Sequence, residues 1–266
     1  MTAEPASAPL AFDDIGSGRL VLMLPGAGDV RSEYRFLVEP VAAAGYRVVA
    51  ADLPGHGDSP IAAEYTVASA AAAIQRLIAD LDGGPVVIVA NSFAPAAAVW
   101  LAAEHPGSVA AVVAISPHLD EDASLKGRFA RALIRVLLRG PWAGMVWKRL
   151  YSGWYKAVRP DDLDGELSKI GAMLGTHERR RAVRDTLAAG RAGVAERVAA
   201  LTVPTLTIFG SADDHFADPA SEARRVAGAL GGEFLLIEGA GHYPHVERPE
   251  QVAPALIAFL RHLDAG

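Results

Sequence analysis

The sequence predicts an α/β protein: a mostly parallel, doubly wound sheet carrying an inserted helical cap. Three observations predict it. Short runs of β-branched and other apolar residues recur along the chain, and continuous runs of that length fit strands covered on both faces. Helix-like stretches separate them, the alternation that parallel strands with crossover helices require. The alternation stops between Pro117 and about Ala200, then resumes. With 266 residues and 51% hydrophobic composition, the chain can bury one sizeable core and still carry a smaller lobe. The expected division is residues 1–117 and 200–266 as core and 118–199 as cap or lid.

The first predicted strand is Leu20–Leu24, followed by a helix over Tyr34–Ala44 and a strand over Arg47–Ala51. Val67–Leu81 reads as the next helix, Val86–Ala90 as a strand that runs straight into the alanine-rich helix Ala94–Glu104, and Ala110–Ile115 as a further strand. In the insertion, Phe129, Leu133, Val136 and Leu137 recur at helical spacing among Arg128, Arg131, Arg135 and Arg139. Gly140 and Pro141 punctuate that helix, and Pro160 and the Gly165 region punctuate the next. The alternation resumes with strand Thr205–Phe209, helix Ala220–Leu230, strand Glu233–Ile237 and helix Pro249–Leu263.

Composition removes several classes of chemistry. The chain has no cysteine, so disulfides, thiolate metal sites and cysteine nucleophiles are excluded. The N-terminal stretch has neither a basic region nor an apolar one of signal-peptide type, and no apolar run reaches bilayer-spanning length. A cytoplasmic protein that binds no membrane is expected. The net charge of −6 argues against a nucleic-acid partner. Charge is unevenly spread: His118–Val198 holds 16 Lys and Arg against 10 Asp and Glu, so the remainder carries the acidic excess. Arginines solvating helix faces account for this more simply than an anionic partner does. Oligomeric state is not legible.

Ligands of open parallel sheets collect at the strands' carboxyl ends, so the residues just after each strand carry the chemistry. Strand Val86–Ala90 ends in Asn91-Ser92-Phe93 and a helix begins at once. Such a reversal strains its apex, holds the Ser92 side chain out and aims the Phe93 N–H at whatever the serine attacks. Alone, a serine among alanines is more often structural. Two later strands supply context: Thr205–Phe209 is followed by Gly210 and Asp213, and Glu233–Ile237 by Gly241-His242. A serine, an acid and a histidine thus follow three different strands, in that chain order.

Over nearly its whole length the chain resembles the α/β-hydrolase superfamily. LVLMLPGAG resembles the strand and oxyanion loop, GYRVVAADLPGHGDS the D-x-x-G-x-G-x-S turn, Val86–Trp100 the nucleophile elbow and Gly241–Val252 the histidine loop. The resemblance implies Ser92 as nucleophile, Asp213 as triad acid and His242 as base, with the backbone N–H groups of Ala27 and Phe93 as oxyanion donors. It departs in two places. Pro25 stands where relatives usually carry histidine, and alanines 90 and 94 replace both elbow glycines, predicting a slightly opened elbow.

Other polar residues have plainer readings. Asp214 competes with Asp213 as the acid; His215, His242 and His245 lack metal-ligand spacing, and no metal is expected. His245 packs or caps within its loop, and Asp52, His56 and Asp58 organise a turn. Gly16, Gly18, Gly26 and Gly28 do not complete a dinucleotide fingerprint, so no cofactor is expected. A cap must line the pocket beneath it, which nominates His118, Trp142, Trp147 and Trp154 and a small-molecule substrate with an apolar group. The expected activity is carboxylic-ester hydrolysis through an acyl-enzyme. The same residues would also serve C–C bond, lactone or thioester cleavage, acyl transfer, cofactor-free peroxidation or a low-turnover binding protein.

Overall fold

A computed structural model describes residues 8–120 and 125–265. The first seven residues of the N-terminal stretch, the start of the insertion at 121–124, and the Arg128 and Arg131 side chains lie outside the described structure. Seven strands form one sheet in the order β1-β3-β2-β4-β5-β6-β7. They are β1 (Phe12–Gly16), β2 (Leu20–Leu24), β3 (Arg47–Ala51), β4 (Val86–Asn91), β5 (Val109–Ile115), β6 (Thr205–Gly210) and β7 (Glu233–Ile237). All neighbours pair in parallel except β1 with β3. The expected α/β architecture is present.

The central strands read as unbroken apolar runs because both faces are covered. β2 and β4 are buried at every position. Helices α2 (Val67–Leu81), α3 (Ala94–Glu104) and α9 (Pro219–Leu230) close one face, where Leu22, Ile88, Ile74, Val99 and Val226 share a core. Helices α1 (Arg35–Ala43) and α11 (Pro249–Ala265) close the other, packing Leu37, Val41 and Leu256 on Val48, Val89 and Val113. The alanines of α3 let it approach the sheet closely, and Ala94 through Val99 are all buried. α2 starts at a reciprocal cap: the Thr66 hydroxyl accepts from Ser69 N–H at 3.0 Å and the Ser69 hydroxyl accepts from Thr66 N–H at 2.9 Å.

Two expectations about elements need correction. The sequence reading has no strand before Leu20, yet β1 exists. Its residues, FDDIG, are all exposed, so no burial pattern marks it. It forms by pairing with β3, supported by Arg31–Asp13 at 2.9 Å and Arg47–Asp14 at 2.7 Å, and its carboxylates blunt the sheet edge. The helix expected over Tyr34–Ala44 instead opens with a 3₁₀ turn, Arg31–Tyr34, ahead of α1.

Between β5 and β6 the described chain forms helices α4 (Leu125–Leu137), α5 (Ala143–Gly153), α6 (Leu163–Met173), α7 (His177–Leu187) and α8 (Val194–Ala199). Gly165 lies inside the first turn of α6, so it does not punctuate that helix. Trp147 and Tyr151 of α5 are buried against Leu163, Ile170, Val183, Tyr243 and Val246. The apolar stripe of α4 behaves differently: Phe129, Leu133 and Val136 are exposed. Among the described residues no helix is long and apolar enough to cross a membrane.

Tight backbone packing joins the ends of β6 and β7. Ser211 N–H donates to the Ile237 carbonyl and Ala212 N–H to the Ala240 carbonyl, each at 2.9 Å. A Cβ on Gly210 would lie 2.1 Å from the Gly241 carbonyl oxygen, a clash with main chain that cannot rotate away. Gly210→Ala is therefore expected to lower unfolding free energy by about 1–3 kcal/mol in urea titrations. Activity should fall further than stability explains, because the loops bearing Asp213 and His242 are forced apart.

Candidate active site

The site is built where β4, β5, β6 and β7 end. After the buried strand β4 the chain reverses at Ser92 into α3, and Ser92 takes φ 58°, a left-handed conformation costly for a residue with a Cβ. The turn is anchored on both sides: Ser92 N–H donates to the Ile115 carbonyl, and the Ser92 carbonyl accepts from His118 N–H, each at 2.9 Å. Ser116, at φ 42°, bends the chain at the end of β5 and so delivers His118 to this place. Ala90 and Ala94 are fully buried, their methyl groups filling the space glycines would leave.

Asp213 and His242 are joined directly. His242 Nδ1 lies 2.8 Å from Asp213 Oδ2, with both residues buried. Asp213, and not Asp214, faces the ring; the Asp214 carboxylate accepts from Lys156 Nζ at 2.7 Å. A second imidazole, not foreseen in this role, takes the other oxygen: His215 Nδ1 is 3.0 Å from Asp213 Oδ1. Burial opposes ionisation of Asp213, but the charge of His242 and the hydrogen bonds from both histidines outweigh it and hold the carboxyl well below the usual range. Burial, then repulsion from His242, lowers His118 and His215, so both stay neutral at ordinary pH.

Ser92 borders this pair. The Asn91 side-chain amide donates to the His242 carbonyl at 3.4 Å, and the His118 ring centroid is 5.7 Å from that of His242. Among the described residues no hydrogen bond joins the Ser92 hydroxyl to the His242 ring. Catalytic hydrogen bonds are often loose before substrate arrives. Across from Ser92 stands the loop after β2, where a Cβ on Gly26 would sit 3.1 Å from Ser92 Cβ. Neither Ala27 N–H nor Phe93 N–H donates to another described residue.

Behind that loop lies a buried polar layer that sequence reasoning missed. Gly26 N–H donates to Glu33 Oε2 at 3.0 Å, and His245 Nε2 approaches Glu33 Oε1 at 3.0 Å. His245 stacks on Tyr34, and neither its ring nitrogens nor Glu33 Oε1 has a hydrogen-bond partner among the described residues. Burial pushes Glu33 up to about 8 and His245 down to about 3, so the pair is uncharged at neutral pH. Burial, then the neighbouring Glu33 carboxyl, also raises Asp29. Asp29 accepts from Tyr151 at 2.7 Å, while the Trp147 indole donates to the Gly28 carbonyl at 2.8 Å.

Of the four proposed pocket residues, two reach the imidazoles. Trp154 lies with ring centroids 4.8 Å from His215 and 6.0 Å from His242, and His118 stacks on Phe216 at 4.8 Å. Trp147 is instead buried and braces the loop after β2. Trp142 is a correction: it is 51% exposed and folds over Gly140, because the Gly140-Pro141 break turns it outward. Glu247 was also missed. Its carboxylate accepts from Gly241 N–H at 2.7 Å and from Lys156 and Ala157 N–H at 2.7 and 2.6 Å, tying the histidine loop to the insertion. The Asp52 turn is an organiser, pairing with Arg31 and accepting from Asp58 N–H, with His56 buried beside it.

Known proteins resemble this chain in sequence and fold. The sequence profile of the alpha/beta hydrolase family matches residues 21–255. Lipase LipV of Mycobacterium tuberculosis is 35% identical over 125 residues, a match spanning 46% of each chain. The pimeloyl-[acyl-carrier protein] methyl ester esterase of Neisseria meningitidis is 29% identical over 88% of this chain and 89% of its own. Among solved structures, the putative non-heme bromoperoxidase BpoC of M. tuberculosis superposes with a TM-score of 0.76 at 25% identity, over 97% of each chain.

The Glu33 carboxyl gives a pH signature. With its folded pKa raised, it binds its proton more tightly in the folded state. Its contribution is complete below the unfolded value of 4.5 and is lost as pH rises through about 8. His245 has the opposite sign, so its contribution is gained as pH rises from about 3 to 6.5 and is complete above that. Between pH 6.5 and 8, Glu33→Gln should therefore flatten the loss of stability seen in urea titrations of wild type, where this group sets a slope of up to about 1.4 kcal/mol per pH unit. An equal slope in both proteins would mean that Glu33 is ionised in the fold.

Proposed function

The chain belongs to the alpha/beta hydrolase family and is an enzyme of that fold; from this premise we propose that it is a serine hydrolase of carboxylic esters acting through an acyl-enzyme on Ser92. The observation that carries the reading is the strained serine of the β4–α3 turn beside a buried, hydrogen-bonded Asp213–His242 pair. A serine hydroxyl is a weak nucleophile at neutral pH. His242 takes its proton as the Ser92 oxygen attacks the ester carbonyl, then returns it to the leaving alcohol. Water repeats the sequence on the acyl-enzyme. Asp213 fixes the imidazole tautomer and stabilises the imidazolium without accepting the proton.

The oxyanion that forms in each half-reaction is received by Ala27 and Phe93 N–H. Glu33 holds Gly26, and Trp147 holds Gly28, so Ala27 is fixed from both sides. Fixed donors need no reorganisation as charge develops. Residues 118–199 act as the cap, and its Trp154, with Phe216 of the loop after β6, presents an apolar wall beside the rings of His118 and His242. That wall favours a small substrate with an apolar acyl or alcohol group. The curated esterase relative, whose name specifies a methyl ester, supports the ester reading.

Wild type should hydrolyse short p-nitrophenyl esters and react stoichiometrically with an alkyl fluorophosphonate. Ser92→Ala should lose both, with kcat down by about 10⁴-fold or more, and His242→Ala should lose a similar factor. Asp213→Asn should cost about 10⁴ in kcat, with the fold retained by circular dichroism. Undiminished turnover in Ser92→Ala would overturn the reading.

A further inference from the structure

We propose that His118, His215 and His242 form a binding site for a divalent transition metal of the zinc type, and that its occupancy silences the enzyme. One nitrogen from each of the three rings lies within 4.8 Å of the others. They come from three different strand ends, so tertiary structure alone assembles them. The His215 and His242 ring centroids are 4.0 Å apart, and His118 is 5.7 Å from each. Zinc holds imidazole nitrogens at about 2.0–2.1 Å in tetrahedral geometry, which sets them about 3.3 Å apart. The widest pair therefore closes by about 1.5 Å at most. The His215 side chain, 24% exposed, has room to turn.

Two of the three rings already have a carboxylate partner for one ring nitrogen, Nδ1, which leaves Nε2 for a ligand. Ligating histidines generally give their other ring nitrogen to a carboxylate, which fixes the tautomer and raises ligand basicity. Here Asp213 serves two histidines at once, His215 through Oδ1 and His242 through Oδ2. Acyl transfer uses only one of those contacts, so the His215 arm has no part in the ester mechanism. The donor set is also selective. Both Asp213 oxygens are engaged and Asp214 is paired with Lys156, leaving imidazole nitrogen, which suits zinc, nickel and copper over magnesium or calcium.

Metal on His242 withdraws the lone pair that would accept the Ser92 proton, so hydrolysis stops until the metal leaves. This half of the proposal rests on the reading of His242 as base; the binding half does not. The full chain, stripped with chelator, is titrated with Co²⁺ followed by visible absorption and with Zn²⁺ followed by calorimetry. One ion per chain is expected. His118→Ala and His215→Ala should each weaken binding by about tenfold or more, as loss of a ligand or its support does elsewhere. His177→Ala, on the exposed start of α7, should leave binding unchanged. Hydrolysis of p-nitrophenyl butyrate should fall in step with Zn²⁺ occupancy and return with EDTA.

No binding, or binding indifferent to both site variants, overturns the metal site while leaving Ser92-dependent hydrolysis intact as evidence for the base. Stoichiometric binding at the site with undiminished hydrolysis overturns silencing and the assignment of His242 as base together.

Discussion

A carboxylate placed inside a protein must be met by hydrogen-bond donors or lose its charge, and Asp213 is met twice, by His215 and His242. That requirement organises the carboxyl edge of the sheet. It fixes the tautomer of His242, and it brings the loops after β6 and β7 into backbone contact at Gly210 and Gly241. The strained serine turn after β4 is held separately, by the main chain of β5 and by His118. Two constraints thus meet at one end of the sheet.

The buried acids behind the loop after β2 follow the opposite electrostatic course. Glu33 has a backbone N–H and an imidazole as neighbours, too little to keep an ionised carboxylate in the interior, so it retains its proton near neutrality. A neutral Glu33 still accepts from Gly26 N–H. The loop is consequently fixed without a negative charge close to the place where an oxyanion would form, which a charged carboxylate would disfavour.

The helical insertion touches both halves of the site through hydrogen bonds of buried side chains and of its own backbone. Trp147 and Tyr151 hold the loop after β2 at Gly28 and Asp29, and Glu247 holds the segment from Lys156 to Val158 against the loop that carries His242. Displacement of α5 would therefore move Gly28 and Asp29, linking cap position to donor geometry. The exposed stripe of α4 takes no part in this contact: Phe129, Leu133 and Val136 face away from the core.

Strands β2 to β6 were legible because burial on both faces leaves unbroken apolar runs, and the half-exposed edge strand β7 still keeps a short one, whereas β1, exposed throughout, has no such mark and forms by pairing with the edge of β3. Ser92, Asp213 and His242 were legible as residues that follow strands, since a parallel sheet collects its strand ends on one side. Their partners were not. Whether Asp213 meets one histidine or two, whether Glu33 is charged, and whether Trp142 faces the pocket or solvent depend on distances between segments far apart in the chain. By itself the sequence determined the alternation of strands and helices and the three polar side chains that follow the strands, through local periodicity and residue type. The second imidazole, the neutral acid and the coupling of cap to loop were decided only when folding set the burial and separation of groups that no spacing along the chain encodes.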